Sequence, residues 1–225
     1  MVIIQSTHDS LQKRGNFPYN SPQMLLTRAV LPHICLPDKG RAMQVVAVVG
    51  MAGSGKSEVA GIFERSGFKK VRFGDITEEE IRNRGLELNE ENERHIREQL
   101  RKEHGMAAYA RLNLPRIDAS LDSSDVVIDG LYSWEEYIFL KDYYGERFTT
   151  VAVWASQAVR HSRLANRTER PLTAEEAASR DKAEIENTNK GGPIAMADFT
   201  IINEASLKKL ERETGRVISA LKWKR

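Results

Sequence analysis

The chain has very little of several features that define large classes of proteins. Cys35 is its one cysteine in 225 residues, so an internal disulfide is impossible and a reducing compartment is expected. The formal net charge is +2, which is too small to favour nucleic acid or an anionic membrane as a partner. Aromatic residues make up 7% of the chain and are not interleaved with a basic patch, which further disfavours a nucleic-acid interface.

Long apolar segments are also missing. No run approaches the roughly 20 apolar residues that a membrane-spanning helix needs. The N-terminal MVIIQSTHDS lacks the basic start and the long apolar stretch of a signal peptide. Because 40% of the residues are hydrophobic and 29% are charged, we predict a soluble cytoplasmic protein with a sizeable core.

Residues 1–42 differ in composition from the rest of the chain. They hold four of the seven prolines, and neither RGNFPYNSPQ nor VLPHICLPDKG shows a sustained helical or strand period. We interpret residues 1–42 as a poorly ordered N-terminal extension and residues 43–225 as one folded domain.

From Gln44 onward, short apolar runs alternate with segments of helical pattern. The predicted strands are residues 44–49, 70–73, 125–128, 148–154 and 199–203. Capping patterns that indicate helix starts are Thr77 with Glu80, Ser133 with Glu136, and Thr173 with Glu176. Glycines that indicate helix ends are Gly67, Gly105 and Gly145. The alternation predicts right-handed βαβ units around a parallel sheet.

The first predicted strand runs into GMAGSGKS, residues 50–57, which matches the pattern G-x-x-x-x-G-K-[ST] between a strand and a helix. The backbone N–H groups of such a turn form an anion site, to which the helix N-terminus adds its positive end. Lys56 can reach the β- and γ-phosphates of a nucleotide, and the Ser57 hydroxyl can ligate Mg²⁺. The spacing is not G-x-G-x-x-G, so NAD is disfavoured. The predicted nucleotide-binding residues of the turn are Gly50, Met51, Ala52, Gly53, Ser54, Gly55, Lys56, Ser57 and Glu58.

A second acidic element follows in DVVIDG, residues 125–130, where an apolar strand ends at Asp129. This carboxylate can orient Mg²⁺ or its water shell, although a strand followed by an Asp-Gly turn is also common without any metal. No N-K-x-D motif follows the later strands, which disfavours a GTPase. The short chain shows no arginine-finger module, which disfavours a ring ATPase.

Several segments together resemble a known group of enzymes. They are VVGMAGSGKSEVA, FGD, RGLELNEEN, LRKEHG, VVIDG and ADFTIINEASLKKL, and they are similar to the dephospho-CoA kinases and adenylate kinase-like P-loop proteins, in particular to an archaeal-type branch of that group. The resemblance covers about residues 43–218. It implies a three-layer α/β/α P-loop NTPase fold with a five-stranded parallel sheet, an acceptor-binding insertion and a lid, and it implies ATP as the nucleotide.

The acceptor side departs from the adenylate kinase-like pattern. Those enzymes clamp an acceptor phosphate with arginines three residues after the Gly-Asp and shortly after the second Asp-Gly, and here Glu78 and Tyr132 stand there. A carboxylate repels a phosphate, although Arg82 or Arg84 could partly substitute for the missing clamps. Asp75 resembles the aspartate that dephospho-CoA kinases place after this strand, where it can take the proton of a hydroxyl acceptor; a helix N-cap is its alternative role.

Further site residues are predicted on both sides of the transfer point, and Arg101 is the one that the resemblance singles out on the acceptor side. The predicted acceptor-binding residues are Asp75, Arg82, Arg101, Gly130 and Tyr132. On the lid side, the resemblance assigns Arg163, Arg167 and Arg180 to the transferring phosphoryl group, with a solvated basic helix face as the alternative. Asn203 follows the last predicted strand, in a loop that lies near the adenine in relatives.

We therefore expect an enzyme that transfers the γ-phosphoryl group of ATP, with Mg²⁺, to a small nucleotide-like acceptor. The expected catalytic residues are Lys56, Asp75, Arg163 and Arg167, and the expected metal-binding residues are Ser57 and Asp129. A dephospho-CoA-like hydroxyl is the favoured acceptor, and a nucleoside monophosphate is the second. An ATP-binding regulator with little transferase activity is a third hypothesis, because the acceptor arginines are missing. Neither nucleic acid nor a membrane is an expected partner.

Overall fold

The computed structural model describes residues 42–168 and 171–223. The predicted extension therefore lies outside the described residues, apart from Ala42. The elements of the described ranges, in chain order, are β1 (Val45–Val49), α1 (Lys56–Arg65), β2 (Lys69–Arg72), α2 (Asp75–Asn83), α3 (Glu90–His104), α4 (Ala108–Leu121), β3 (Val126–Asp129), α5 (Trp134–Tyr144), a 3₁₀ turn (Gly145–Arg147), β4 (Phe148–Trp154), α6 (Gln157–Ala165), α7 (Ala174–Glu186), α8 (Gly191–Ala195), β5 (Phe199–Ile202) and α9 (Leu207–Trp223).

Within these ranges, five strands form one all-parallel sheet in the order β2-β3-β1-β4-β5. The central strand β1 pairs with β3 on one side and β4 on the other, so Val45 lies opposite both Val126 and Phe148. The predicted parallel five-stranded sheet is confirmed. The bounds of β4 agree with the prediction, β1 and β5 are each one residue shorter at one end, and β2 and β3 are each shifted by one residue.

The side chains of β1 alternate between two hydrophobic cores. Val45, Ala47 and Val49 pack in the core that includes helices α2 to α5, whereas Val46 and Val48 pack in the core that includes α1 and α9. Because both faces of the strand are covered, its sequence shows no polar alternation. The predicted three-layer α/β/α arrangement is confirmed.

The helices begin and end where the capping residues and glycines predicted, with one exception. Thr173 and Glu176 form a complete capping box at α7, and Ser133 accepts the Glu136 N–H at α5. The predicted start at Thr77 is wrong, because α2 begins at Asp75 and the Thr77 hydroxyl is hydrogen-bonded to the buried Tyr109 hydroxyl. The three predicted terminal glycines follow α1, α3 and α5 and have positive φ angles.

Among the helices of the described ranges, none has the length and apolar content to cross a membrane.

Candidate active site

The turn between β1 and α1 is a preformed glycine-rich loop at the carboxyl edge of the sheet. Gly55 ends it with a φ of 96°, and a Cβ there would lie 2.3 Å from the Asn203 Nδ2 atom, so the position admits only glycine. The same Asn203 Nδ2 donates to the Ser54 carbonyl at 2.8 Å. The loop after β5 therefore supports the turn directly, and the described side-chain contact of Asn203 is with the turn backbone.

Lys56 is the first residue of α1, and its Nζ donates to the Met51 carbonyl at 2.9 Å across the turn. Burial lowers the pKa of Lys56 to about 7; the nearby charge of Lys190 lowers it too, while Glu184 and Asp129 act in the opposite direction. A polyphosphate beside Lys56 would favour its charged form, so the lysine is well placed to respond to a nucleotide.

Ser57 and Asp129 are brought together by the pairing of β1 with β3, in which Val48 lies opposite Asp129. The Ser57 hydroxyl donates to Asp129 Oδ1 at 3.3 Å. A hydroxyl and a carboxylate oxygen beside a phosphate-binding turn are ligands that suit Mg²⁺, which prefers oxygen and usually retains several waters. The two residues that the sequence assigned to the metal therefore form a donor set that fits it.

Asp75 begins α2 at the same edge of the sheet, three residues after Arg72, which lies opposite Asp129 in the β2–β3 register. The Arg72 guanidinium forms ion pairs with Asp75 at 3.0 Å and with Glu78 at 2.7 Å. The Asp75 side chain is 43% exposed, so an acceptor can reach it. Arg82 is exposed on the same helix, two turns further on.

Three of the predicted acceptor residues lie around one aromatic cluster. Tyr132 packs over Gly130, where a Cβ would come within 2.5 Å of the tyrosine hydroxyl and φ is 103°. The rings of Tyr132 and Tyr109 meet edge to face at 5.6 Å, and the Arg101 guanidinium lies 5.5 Å from the Tyr109 ring. The structure thus brings Arg101, Gly130 and Tyr132 together beside the end of β3.

The predicted lid consists of helices α6 and α7, with a break between them. Arg163 on α6 donates to the Asn203 carbonyl at 2.9 Å. It therefore lies next to the loop after β5 that contacts the glycine-rich turn. Arg167 lies in the segment after α6, and Arg180 on α7 approaches Glu184 at 3.7 Å. The three arginines therefore lie on two helices and in the segment that follows the first.

Arg160 joins the two lid helices to the turn. Its guanidinium forms two hydrogen bonds with the Asp181 carboxylate, at 2.6 and 2.8 Å, and also donates to the Ala52 carbonyl at 3.1 Å. Both side chains of the pair are buried. Arg160 and Arg163 lie three residues apart in the sequence, and this spacing does not show which of the two is buried.

A carboxylate from α7 also reaches the turn. The Ala52 N–H donates to Glu184 Oε2 at 3.0 Å, and the buried Lys190 ammonium lies 2.9 Å from Glu184 Oε1. Neither Glu184 nor Lys190 was predicted as a site residue, and neither lies in a recognisable motif.

Comparison with known proteins gives the family. A family model described as an AAA domain matches residues 46–187. A UPF0200 protein of Thermococcus kodakarensis is 38% identical over 181 residues, which cover 79% of this chain and 97% of that protein. A UPF0200 protein of Methanoculleus marisnigri is 33% identical over 181 residues, which cover 80% and 97%. This chain belongs to the UPF0200 family. The predicted archaeal-type branch is confirmed.

Solved structures similar to this UPF0200 chain agree with its fold. The TT1252 protein of Thermus thermophilus has a TM-score of 0.58 and 20% identity, and covers 80% of this chain and 99% of its own. A shikimate kinase of Bacteroides thetaiotaomicron has a TM-score of 0.53 and 15% identity, with coverages of 80% and 99%. These similarities show the fold alone, which is that of P-loop kinases.

The AAA-domain match of this UPF0200 chain contains the glycine-rich turn, Asp129 and Arg163, and it ends at residue 187. Lys190 and Asn203 lie outside this match. They are placed in the site by their contacts with Glu184 and with the Ser54 carbonyl. Of the residues that sequence reasoning missed, Arg72 was visible in the sequence as a charged residue in the predicted strand that leads to Asp75.

Proposed function

We propose that this protein transfers the γ-phosphoryl group of ATP to a hydroxyl of a small nucleotide-like acceptor. The observation that carries the proposal is the Arg72–Asp75 ion pair at the sheet edge, next to the strand end that bears Asp129. Asp75 is held by Arg72 and is still exposed, and Glu78 stands where a phosphate acceptor would need an arginine. The P-loop kinase-like fold supports a nucleotide as the donor.

The donor half of the reaction uses the turn and the start of α1. The backbone N–H groups of the turn and Lys56 bind the polyphosphate, and Ser57 and Asp129 would hold Mg²⁺. The metal supplies charge neutralisation on the phosphoryl oxygens when it is bound. Arg163, Arg167 and Arg180 are proposed to stabilise the charge that develops on the transferred group.

The acceptor half of the reaction uses Asp75 as the proton acceptor. The acceptor hydroxyl oxygen attacks the γ-phosphorus, the new O–P bond forms as the bond to the β,γ-bridging oxygen breaks, and ADP leaves. The hydroxyl proton passes to the Asp75 carboxylate, which Arg72 orients. Glu78 binds the same guanidinium. A phosphate acceptor at this edge would therefore meet a carboxylate, which repels it, in place of an arginine that binds it.

The test is transfer from ATP labelled in the γ-phosphate, with dephospho-CoA and each nucleoside monophosphate as separate acceptors and Lys56→Ala as the control. Label on dephospho-CoA that the variant does not produce would support the proposal. Label only on a monophosphate would replace the hydroxyl acceptor with a phosphate acceptor. ATP binding without transfer to any acceptor would favour a regulator.

Replacing Asp75 with asparagine is expected to lower kcat by about 10²-fold, because the amide cannot take the acceptor proton. ATP affinity should stay unchanged, since Asp75 lies on the acceptor side and Arg72 keeps Glu78 as a partner. Initial rates of transfer and ATP titrations measure the two effects. Asp142→Asn, an exposed change on α5, is the matched control, and equal rates for both variants would exclude Asp75 as the base.

Replacing Ser57 with alanine is expected to raise the Mg²⁺ concentration for half-maximal transfer by about tenfold, because one oxygen ligand is lost. The measurement is a Mg²⁺ titration at saturating ATP, with the exposed Ser219→Ala on α9 as the control. An unchanged titration midpoint would remove the hydroxyl from the metal site.

A further inference from the structure

The phosphate-binding turn already holds an anion that belongs to the protein. Glu184, near the end of α7, accepts the Ala52 N–H at 3.0 Å through Oε2. Its other oxygen lies 2.9 Å from Lys190 Nζ and 3.7 Å from Arg180 Nε. The inward N–H groups of such a turn bind oxyanions, so this carboxylate stands in a place that suits a phosphoryl oxygen.

Lys190 is the cation that this carboxylate neutralises. Its side chain is 3% exposed, and a lysine is almost never this buried without a partner. Its Nζ lies 5.5 Å from the Tyr132 ring, and its charge acts on Lys56. Lys190 therefore lies between the turn, which binds the donor, and Tyr132, which belongs to the acceptor side.

Several cations surround Glu184, and the buried carboxylate of Glu136 also acts on one of them, Lys190. Lys56, Arg180 and Lys190 are grouped around Glu184, and Asp129 is the further carboxylate that acts on Lys56. Burial raises the pKa of Glu184, but Lys190 and Lys56 outweigh it, so the pKa lies below its ordinary value and the carboxylate stays ionised. A polyphosphate carries more negative charge than one carboxylate and is complementary to the same three cations.

We propose that Lys190 binds the terminal phosphoryl group of the nucleotide, and that Glu184 occupies this position until a triphosphate displaces it. A terminal phosphate oxygen takes over the Lys190 ammonium and the Ala52 N–H, and the Glu184 side chain leaves the turn. The β-phosphate stays with Lys56 and the start of α1. This assignment rests on the proposed function for ATP as the donor.

Substitutions of Lys190 and Glu184 are expected to change the affinity for a triphosphate in opposite directions. Lys190→Met removes the cation and is expected to weaken binding of the Mg²⁺ complex of a non-hydrolysable ATP analogue by about tenfold, the usual effect of one charge-assisted hydrogen bond. Glu184→Gln removes the competing charge and should tighten the same binding by about fivefold. ADP lacks the terminal phosphate, so its affinity should change by less than about twofold in both variants.

Isothermal titration calorimetry on the full chain measures these affinities, and thermal unfolding verifies that each variant is folded. Lys182→Met and Glu186→Gln are matched controls, because these two residues form an exposed ion pair on α7, the helix that bears Glu184. Lys190→Arg should keep most of the discrimination between triphosphate and diphosphate. If Lys190→Met does not fold, Lys190→Arg and Glu184→Gln decide the question.

The assignment would be overturned if Lys190→Met weakened the binding of the ATP analogue and of ADP equally. It would also be overturned if Glu184→Gln left the ratio of these two affinities unchanged. Either result would mean that the Lys190–Glu184 pair is purely structural. The measurement needs no acceptor, so its failure is separable from failure of the proposed function. A changed ratio without transfer to any acceptor refutes only the proposed function. Transfer with an unchanged ratio refutes only the assignment of Lys190.

Discussion

Replacing Lys56 with alanine is expected to lower the rate of phosphoryl transfer by about 10³-fold or more. The ammonium is the one side-chain cation that begins α1 inside the turn, and its Nζ already spans the turn to the Met51 carbonyl. Loss of a preorganised charge at the transferring group costs at least several kcal/mol of transition-state stabilisation. Transfer rates with labelled ATP measure the loss. Lys69→Ala, an exposed lysine at the start of β2, is the control.

Because the pKa of Lys56 is lowered to about 7, its role can also be tested through the pH dependence of nucleotide binding. A bound phosphate raises the pKa of Lys56, so between the free and the bound pKa values nucleotide binding takes up a proton. ATP affinity should therefore fall as the pH rises above 7, by up to about tenfold per pH unit. Lys56→Ala should lose this dependence. A wild-type affinity that stays constant from pH 7 to pH 9 would contradict the position of Lys56 beside the phosphates.

Replacing Asp181 with leucine is expected to destabilise the fold by about 3–5 kcal/mol, because it leaves the buried Arg160 guanidinium without its carboxylate. For a chain of this size the melting temperature should fall by roughly 10 °C. The pair makes two short hydrogen bonds and Arg160 also donates to the Ala52 carbonyl, so nucleotide binding should weaken together with stability. Chemical denaturation and calorimetric titration measure the two effects.

The double variant Arg160→Met with Asp181→Leu tests the cause of this loss. It removes both buried charges, and is expected to recover a large part of the stability. Glu213→Leu is the control, since its partner Arg216 is 68% exposed and such surface pairs contribute less than about 1 kcal/mol. A loss from Asp181→Leu no larger than that of the control would mean that the Arg160 charge is solvated.

Much of the fold was predictable because its causes are local. The strand at residues 45–49 is apolar throughout since both of its faces are covered, and the capping box at Thr173 satisfies N–H groups within one turn. The prediction failed at Thr77, where the local capping pattern was real in sequence but the helix begins two residues earlier. The Thr77 side chain instead bonds to Tyr109, on another helix, and no local pattern contains that partner.

The sequence alone determined the type of protein and the location of its phosphate-binding turn, because glycines, Lys56 and Ser57 act there through neighbouring backbone. The tertiary structure decided which other charges meet at that turn. Glu184 contacts Ala52 across 132 residues of chain, and Asp181 pairs with Arg160 across 21 residues. Helical spacing describes neighbours three or four residues apart on one surface, so it cannot show that Arg160 is buried or that Lys190 faces the turn. Those positions follow only from the tertiary contacts that bring α6, α7 and the residues before α8 to the turn.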